Sequence, residues 1–118
     1  MADHPGIKLR IALNPDTLLG PGKAALLQAI DETGSIAAAG RRMGMSYKRA
    51  WYLIDTMNAY FHKTLVVSVK GGNSRGGATL TPTGRAVLDG YRRMEKKAQA
   101  AVARDLAKLA ALASRTRR

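Results

Sequence analysis

Gly34-Ser35-Ile36-Ala37-Ala38-Ala39-Gly40-Arg41-Arg42-Met43-Gly44-Met45-Ser46-Tyr47-Lys48-Arg49-Ala50-Trp51-Tyr52-Leu53 is the stretch from which the rest of the chain is read. Gly34 and Gly44 each stop a helix, and Ser35 and Ser46 stand close behind them as side-chain caps for the next one. The punctuation predicts a second helix over about 36–43 and a third beginning at Ser46. Gly44 falls where a tight turn needs positive φ, and Gly40 where two steeply crossing helices want a small residue. Ala50 and Leu53 fall where the later helix must anchor itself. Together these spacings fit a helix-turn-helix over residues 36–55.

On the N-terminal side, Leu26, Leu27 and Ile30 share one face of a helix that starts near Pro21. Before it, Ile7, Leu9, Ile11 and Leu13 alternate with Lys8, Arg10 and Ala12, the period of a half-buried strand, which ends at the Asn14-Pro15-Asp16 turn. On the C-terminal side, Ala50, Leu53, Ile54, Met57 and Phe61 keep a helical period. Leu65 to Val69 then reads as a strand, rich in β-branched residues. A glycine-rich turn, 70–77, leads into Ala78-Thr79-Leu80, so this pair of strands forms a wing.

Thr81 caps and Pro82 opens a last helix, which the pattern carries to about Ala113. Its apolar stripe, Val87, Tyr91, Met94, Ala98, Val102, Leu106, Leu109 and Ala113, advances in threes and fours, a heptad seam with one stutter. Such a helix is ~48 Å long, whereas a chain of this size packs to a radius of gyration of ~13 Å. It must project, and a projecting apolar stripe is expected to pair with a second copy; a break at Gly90 is the alternative. The fold class is therefore mainly α with a small β wing: a winged helix-turn-helix over 1–81, followed by a long dimerisation helix and basic tail over 82–118.

Charge points to the partner. The 118 residues carry 20 Lys and Arg against 8 Asp and Glu, a net charge of +12. Residues 1–40 hold 3 basic and 4 acidic groups, residues 41–75 hold 7 and 1, and residues 76–118 hold 10 and 3. A basic excess that begins at Arg41, inside the helix-turn-helix, suits double-stranded DNA, held through phosphate contacts and counterion release. Other classes find little support. Cysteine is absent and histidine occurs twice, which argues against disulfides, thiolate chemistry and a His-rich metal centre. The scattered carboxylates form no convincing catalytic pair. Neither the 70–77 glycines nor Gly20-Pro21-Gly22-Lys23 has the residues of a P-loop. No stretch is apolar enough to span a bilayer, and the N-terminus lacks signal-peptide architecture, so a cytoplasmic protein is expected, with no enzymatic activity, metal or cofactor of its own.

With Ala50, Leu53 and Ile54 turned inward, the third helix presents Lys48, Arg49, Tyr52, Asp55 and Thr56 outward. Recognition helices offer their N-terminal residues to the major groove, which makes Ser46, Tyr47, Lys48, Arg49 and Tyr52 the candidate contacts. Arg49 is placed to fork onto guanine, and Ser46 to donate to phosphate. Tyr47 and Trp51 lie near the edge of the buried stripe and lean toward packing the helix. Arg41 and Arg42, where the basic run starts, join the candidates, as do Lys70 and Arg75 at the wing, for the minor groove or backbone. Val87, Tyr91, Met94, Ala98, Val102, Leu106 and Leu109 are the candidate dimer contacts.

Ala29-Ile30-Asp31-Glu32-Thr33-Gly34-Ser35-Ile36 and Gly44-Met45-Ser46-Tyr47-Lys48-Arg49-Ala50-Trp51 closely resemble the DNA-binding domain of the ModE family, bacterial molybdate-dependent transcriptional regulators whose winged helix is akin to that of LysR-type regulators. Met57-Asn58, Gly76-Gly77-Ala78 and Leu80-Thr81-Pro82-Thr83-Gly84 continue the match, which spans about residues 20–95. Gly40 departs from it, standing where the family more often has alanine. The resemblance implies a winged helix-turn-helix, dimerisation through terminal helices, and control of genes for molybdate uptake or molybdenum enzymes. It assigns molybdate binding to further domains absent from these 118 residues, so no residue here is expected to sense the metal. The combined expectation is a homodimeric, sequence-specific transcriptional regulator. A nucleoid or architectural protein that binds DNA without sequence preference, and a protein-interaction module docking through the long helix, are the alternatives.

Overall fold

In a computed structural model, residues 6–69 and 77–113 are described. Strands β1 (Ile11–Asn14) and β2 (Thr17–Leu19) form an antiparallel hairpin, followed by helices α1 (Pro21–Thr33), α2 (Ile36–Arg42) and α3 (Tyr47–Tyr60). A second hairpin, β3 (Val66–Val69) with β4 (Gly77–Leu80), precedes α4 (Pro82–Ala101) and α5 (Ala103–Leu112). This is the winged helix-turn-helix expected, with a long C-terminal helix.

The helix ends follow local chemistry. Gly34 closes α1 in the left-handed region, φ +71°, with its N–H donating to the Ile30 carbonyl. Ser35 Oγ accepts from Ala38 N at 3.0 Å, and Ser46 Oγ accepts from Arg49 N at 3.0 Å, so both serines cap as read. Thr81 Oγ1 does the same for Gly84 N ahead of α4.

Leu26, Leu27 and Ile30 of α1, Ile36 of α2, Ile54 and Met57 of α3, and Leu88 and Tyr91 of α4 meet in one core, closed at the wing side by Leu65 and Val66. Two close backbone approaches lock the wing to it. Gly84 of α4 lies on the Leu65 backbone: a Cβ there would overlap the Leu65 carbonyl oxygen and come within 2.9 Å of its carbon. Gly77 of β4 approaches the Gly34 carbonyl, which accepts from Ala78 N at 3.0 Å.

Three expectations change. The N-terminal strand is not a lone strand over 7–13. Pairing begins at Ile11 and uses a partner, β2, in the register Ile11↔Leu19 and Ala12↔Leu18, with an irregularity before Asn14↔Thr17. Residues ahead of Ile11 instead run along α4, where Ile7 N donates to Gln99 Oε1 and the Leu9 carbonyl accepts from Tyr91 OH at 2.6 Å. The last helix continues through Gly90 and is interrupted at Val102, φ −107° and ψ 9°. That interruption is local, because Val102 N still donates to Ala98 O and its own carbonyl accepts from Leu106 N. Finally, the globular part does not stop at 81, since Leu88 and Tyr91 are core residues. Beyond them the rod projects: the molecule measures 56 × 32 × 22 Å, with a Cα radius of gyration of 16.9 Å, well above a sphere-like packing.

Candidate nucleic-acid interface

Residues 36–55 form two helices around a turn closed by backbone bonds from Gly44 N to Arg41 O and from Met45 N to Gly40 O, at 3.1 and 2.9 Å. Gly44 has φ +70°, the conformation that the turn requires. A Cβ on Gly40 would sit 3.3 Å from the Met45 carbonyl oxygen and 3.5 Å from Ala50 Cβ, so α2 and α3 cross in tight contact at this point. Behind that contact Ala50, Ile54 and Met57 are buried, which fixes the rotation of α3.

With the inner face fixed, Ser46, Tyr47, Lys48, Arg49 and Tyr52 all stand exposed at the N-terminal end of α3. Ser46 Oγ is engaged as the cap. The Arg49 guanidinium lies over the Tyr52 ring, 5.6 Å from its centroid, a contact that restrains both side chains while both residues stay exposed. Tyr47 is 57% exposed, against the expectation that it packs the helix, and meets the half-buried Trp51 edge to face at 6.4 Å. Trp51 takes the packing role because its position borders the core, whereas Tyr47, at the first turn of α3, lies outside that core.

The arginines of α2 divide. Arg41 is exposed and has no acidic partner among the described residues. Arg42 bridges to Glu32 and ties α2 to α1. Hydrogen bonds from Gln28 first, then Arg42, hold the Glu32 carboxyl below its ordinary range. Arg85 likewise pairs with Asp31, and Arg92 with Gln28 and Glu95. The ion pairs of the described residues thus cluster on the α1–α4 side and leave the α3 cations free. Lys70 and Arg75 lie outside the described residues.

Among the candidate dimer contacts, Tyr91 is corrected. It is buried in its own chain's core, hydrogen-bonded to Leu9, and has no surface left for a partner. Val87 is half-buried against the same core. Met94, Ala98, Val102, Leu106 and Leu109 lie beyond it, with Leu109 64% exposed.

Sequence reading missed Asn58. Its Oδ1 accepts from Leu65 N and Val66 N at 2.8 and 3.2 Å, and its Nδ2 donates to Val66 O, so one amide pins the start of the wing to α3. The available signal was its position: four residues after Ile54, on the inward face, where an amide needs a reason.

This arrangement matches known proteins. The model for bacterial regulatory helix-turn-helix proteins of the lysR family covers residues 23–85, more than half the chain. The chain belongs to the lysR family. The molybdenum transport protein ModE of Azotobacter vinelandii is 42% identical to this chain over 97 residues, 80% of this chain and 36% of that protein. The molybdenum-pterin-binding protein MopB of Rhodobacter capsulatus is 43% identical over 77 residues, 65% of this chain and 28% of its own length. The DNA-binding transcriptional dual regulator ModE of Escherichia coli is 35% identical over 85 residues, 72% and 32%. The chain therefore spans about a third of these relatives. Among solved structures, a chain in the crystal structure of the CbnR_DBD–DNA complex superimposes with a TM-score of 0.57 at 25% identity, over 74% of this chain and 94% of that one.

Proposed function

We propose that this lysR-family chain is the DNA-reading part of a homodimeric, sequence-specific transcriptional regulator. The observation that carries the reading is the free cationic arc of Lys48 and Arg49, held outward with Tyr52 by a buried inner face and a serine cap. In this reading α3 enters the major groove, with Arg49 against a guanine edge and Lys48 on a base or phosphate. Arg41 reaches backbone next to the turn, and Lys70 and Arg75 extend the contact to the minor groove. Arg42 serves mainly to brace α2 through Glu32.

Met94, Ala98, Val102, Leu106 and Leu109 pair two copies along the rod, so the operator is a near palindrome with half-sites whole helical turns apart. We assign the controlled genes to molybdate uptake or molybdenum enzymes, a reading that the molybdenum-related names of the relatives support. No helix of the described residues is long and apolar enough to cross a membrane, and we place the regulator in the cytoplasm. The chain works by binding and carries no reaction of its own.

Selection of bound sequences from a random duplex library tests this directly. A palindromic consensus, bound far more tightly than random duplex at the same salt, is the expected result. Recovery of unrelated sequences with equal affinity would replace the regulator with a non-specific architectural protein.

A further inference from the structure

Three cations from three separate elements surround one cleft that the helix-turn-helix alone does not use. Arg10 comes from the segment ahead of β1, Lys23 from the first turn of α1, and Arg49 from α3. Together they line a cleft of about 360 Å³ whose apolar wall includes Leu18, Met45 and Leu53. None of the three has a carboxylate partner among the described residues, where the ion pairs use Arg42, Arg85 and Arg92 instead. Lys23 Nζ donates to the Leu18 carbonyl at 3.3 Å and lies 5.2 Å from the Tyr60 ring centroid, contacts that hold the ammonium in place without neutralising it. Segment charge hides this feature: two of the three basic residues in the weakly acidic stretch 1–40 are at this one cleft.

Like charges gathered without a counter-charge repel, and an anion among them reverses the sign of the interaction. Arg49 fixes which anion. It belongs both to the cleft and to the outward arc of α3, so a duplex docked on that arc brings its backbone to the cleft, where the apolar wall suits a deoxyribose. We infer that Arg10 and Lys23 clamp a backbone phosphate of the DNA that α3 reads, extending the interface from the recognition helix onto the N-terminal hairpin. The inference rests on the proposed DNA-reading role and adds two positions to it.

Phosphate contacts weaken every sequence alike and steepen salt dependence, whereas base contacts set the ratio between sequences. The test is fluorescence anisotropy of the full chain on the selected operator and on random duplex, over a salt series. Arg10→Ala removes an exposed side chain, and Lys23→Gln keeps a donor for Leu18; circular dichroism melting confirms that each folds. Arg10→Ala, which leaves Lys23 on the phosphate, is expected to lower the slope of log affinity against log salt by less than about 0.9. The double variant, which removes both cations from that one phosphate, is expected to lower it by about 0.9. Both should leave the operator-to-random ratio unchanged. If both variants keep the wild-type slope while Arg49→Ala loses discrimination, the clamp is wrong and the DNA-reading role stands. A changed ratio in Arg10→Ala would also overturn it, by making Arg10 a base reader. A wild-type chain that binds no duplex removes both readings.

Discussion

Between Ser46 and Tyr52 a turn and a half of helix keeps four large side chains exposed, and Arg49 is the one whose chemistry can tell bases apart. Its fork matches two acceptors of guanine, and its stacking on Tyr52 limits the entropy lost on contact. Arg49→Ala is therefore expected to cost about 1 to 3 kcal/mol of discrimination between the operator and single-base changes, read by competition binding. Two glycines separate packing from propensity in the same way. At Gly84 a methyl group has only the Leu65 backbone to move, so Gly84→Ala is expected to destabilise by about 1 to 3 kcal/mol or more. At Gly40 the added Cβ meets atoms at 3.3 and 3.5 Å, and a gain of roughly 1 kcal/mol in helix propensity offsets the crowding. Gly40→Ala should then melt close to wild type while Gly84→Ala melts well below it. Tyr91 gives a third residue-scale test. Burial, with the Glu95 carboxylate adding to it, raises its phenol above the ordinary value of 10.0. Above that value the unfolded chain releases a proton which the native state retains, so stability falls as pH rises toward the folded pKa. Tyr91→Phe removes this component and also the hydrogen bond to Leu9. Denaturation midpoints should show the variant less stable at neutral pH, with the gap narrowing in alkali.

At the scale of elements, the wing depends on a side chain from another element. Asn58→Ala leaves Leu65 N and Val66 N without their acceptor, at a cost of about 1 to 3 kcal/mol for a desolvated donor. Amide exchange should accelerate first across Val66–Val69 while the amides of α1 keep their protection. The same scale explains what sequence could show. The helices α1 to α3 were legible because Gly34, Ser35, Gly44 and Ser46 mark their ends by local chemistry, and the outward arc followed once Ala50 and Ile54 fixed the inner face. β2 was not legible, since Thr17-Leu18-Leu19 is too short to display a period and its identity as a strand comes from pairing with Ile11 and Ala12. Nor was the fate of Tyr91. Heptad spacing puts it on the same stripe as Met94 and Ala98, and only the packing of α4 against the rest of the chain assigns it to the core. The interruption at Val102 rather than Gly90 belongs with these: Gly90 lies within α4, with only the far end of Arg93 near its missing Cβ.

For the whole molecule, the mismatch between a 56 Å length and a 22 Å thickness is the central fact. The core ends near Tyr91, so the later part of the rod receives little from its own chain, yet it carries Met94 42%, Leu109 64% and Leu112 82% exposed. Helices of ten residues are marginal alone in water, and α5 has just that length. In the proposed dimer, a second copy laid against the stripe would supply the missing burial, at about 25 cal/mol for each Å² of apolar surface covered, and would bring two copies of α3 under one symmetry axis. Leu106→Asp with Leu109→Asp places charge on that seam without touching the core. Sedimentation is expected to show a dimer for the wild type and a monomer for the double variant, with the melting of the globular part little changed. The monomer should keep its preference for a single half-site but lose at least tenfold in affinity for the full palindrome, because the second half-site no longer binds at high effective concentration. A double variant that stays dimeric would move the interface off the rod and onto another surface of the domain.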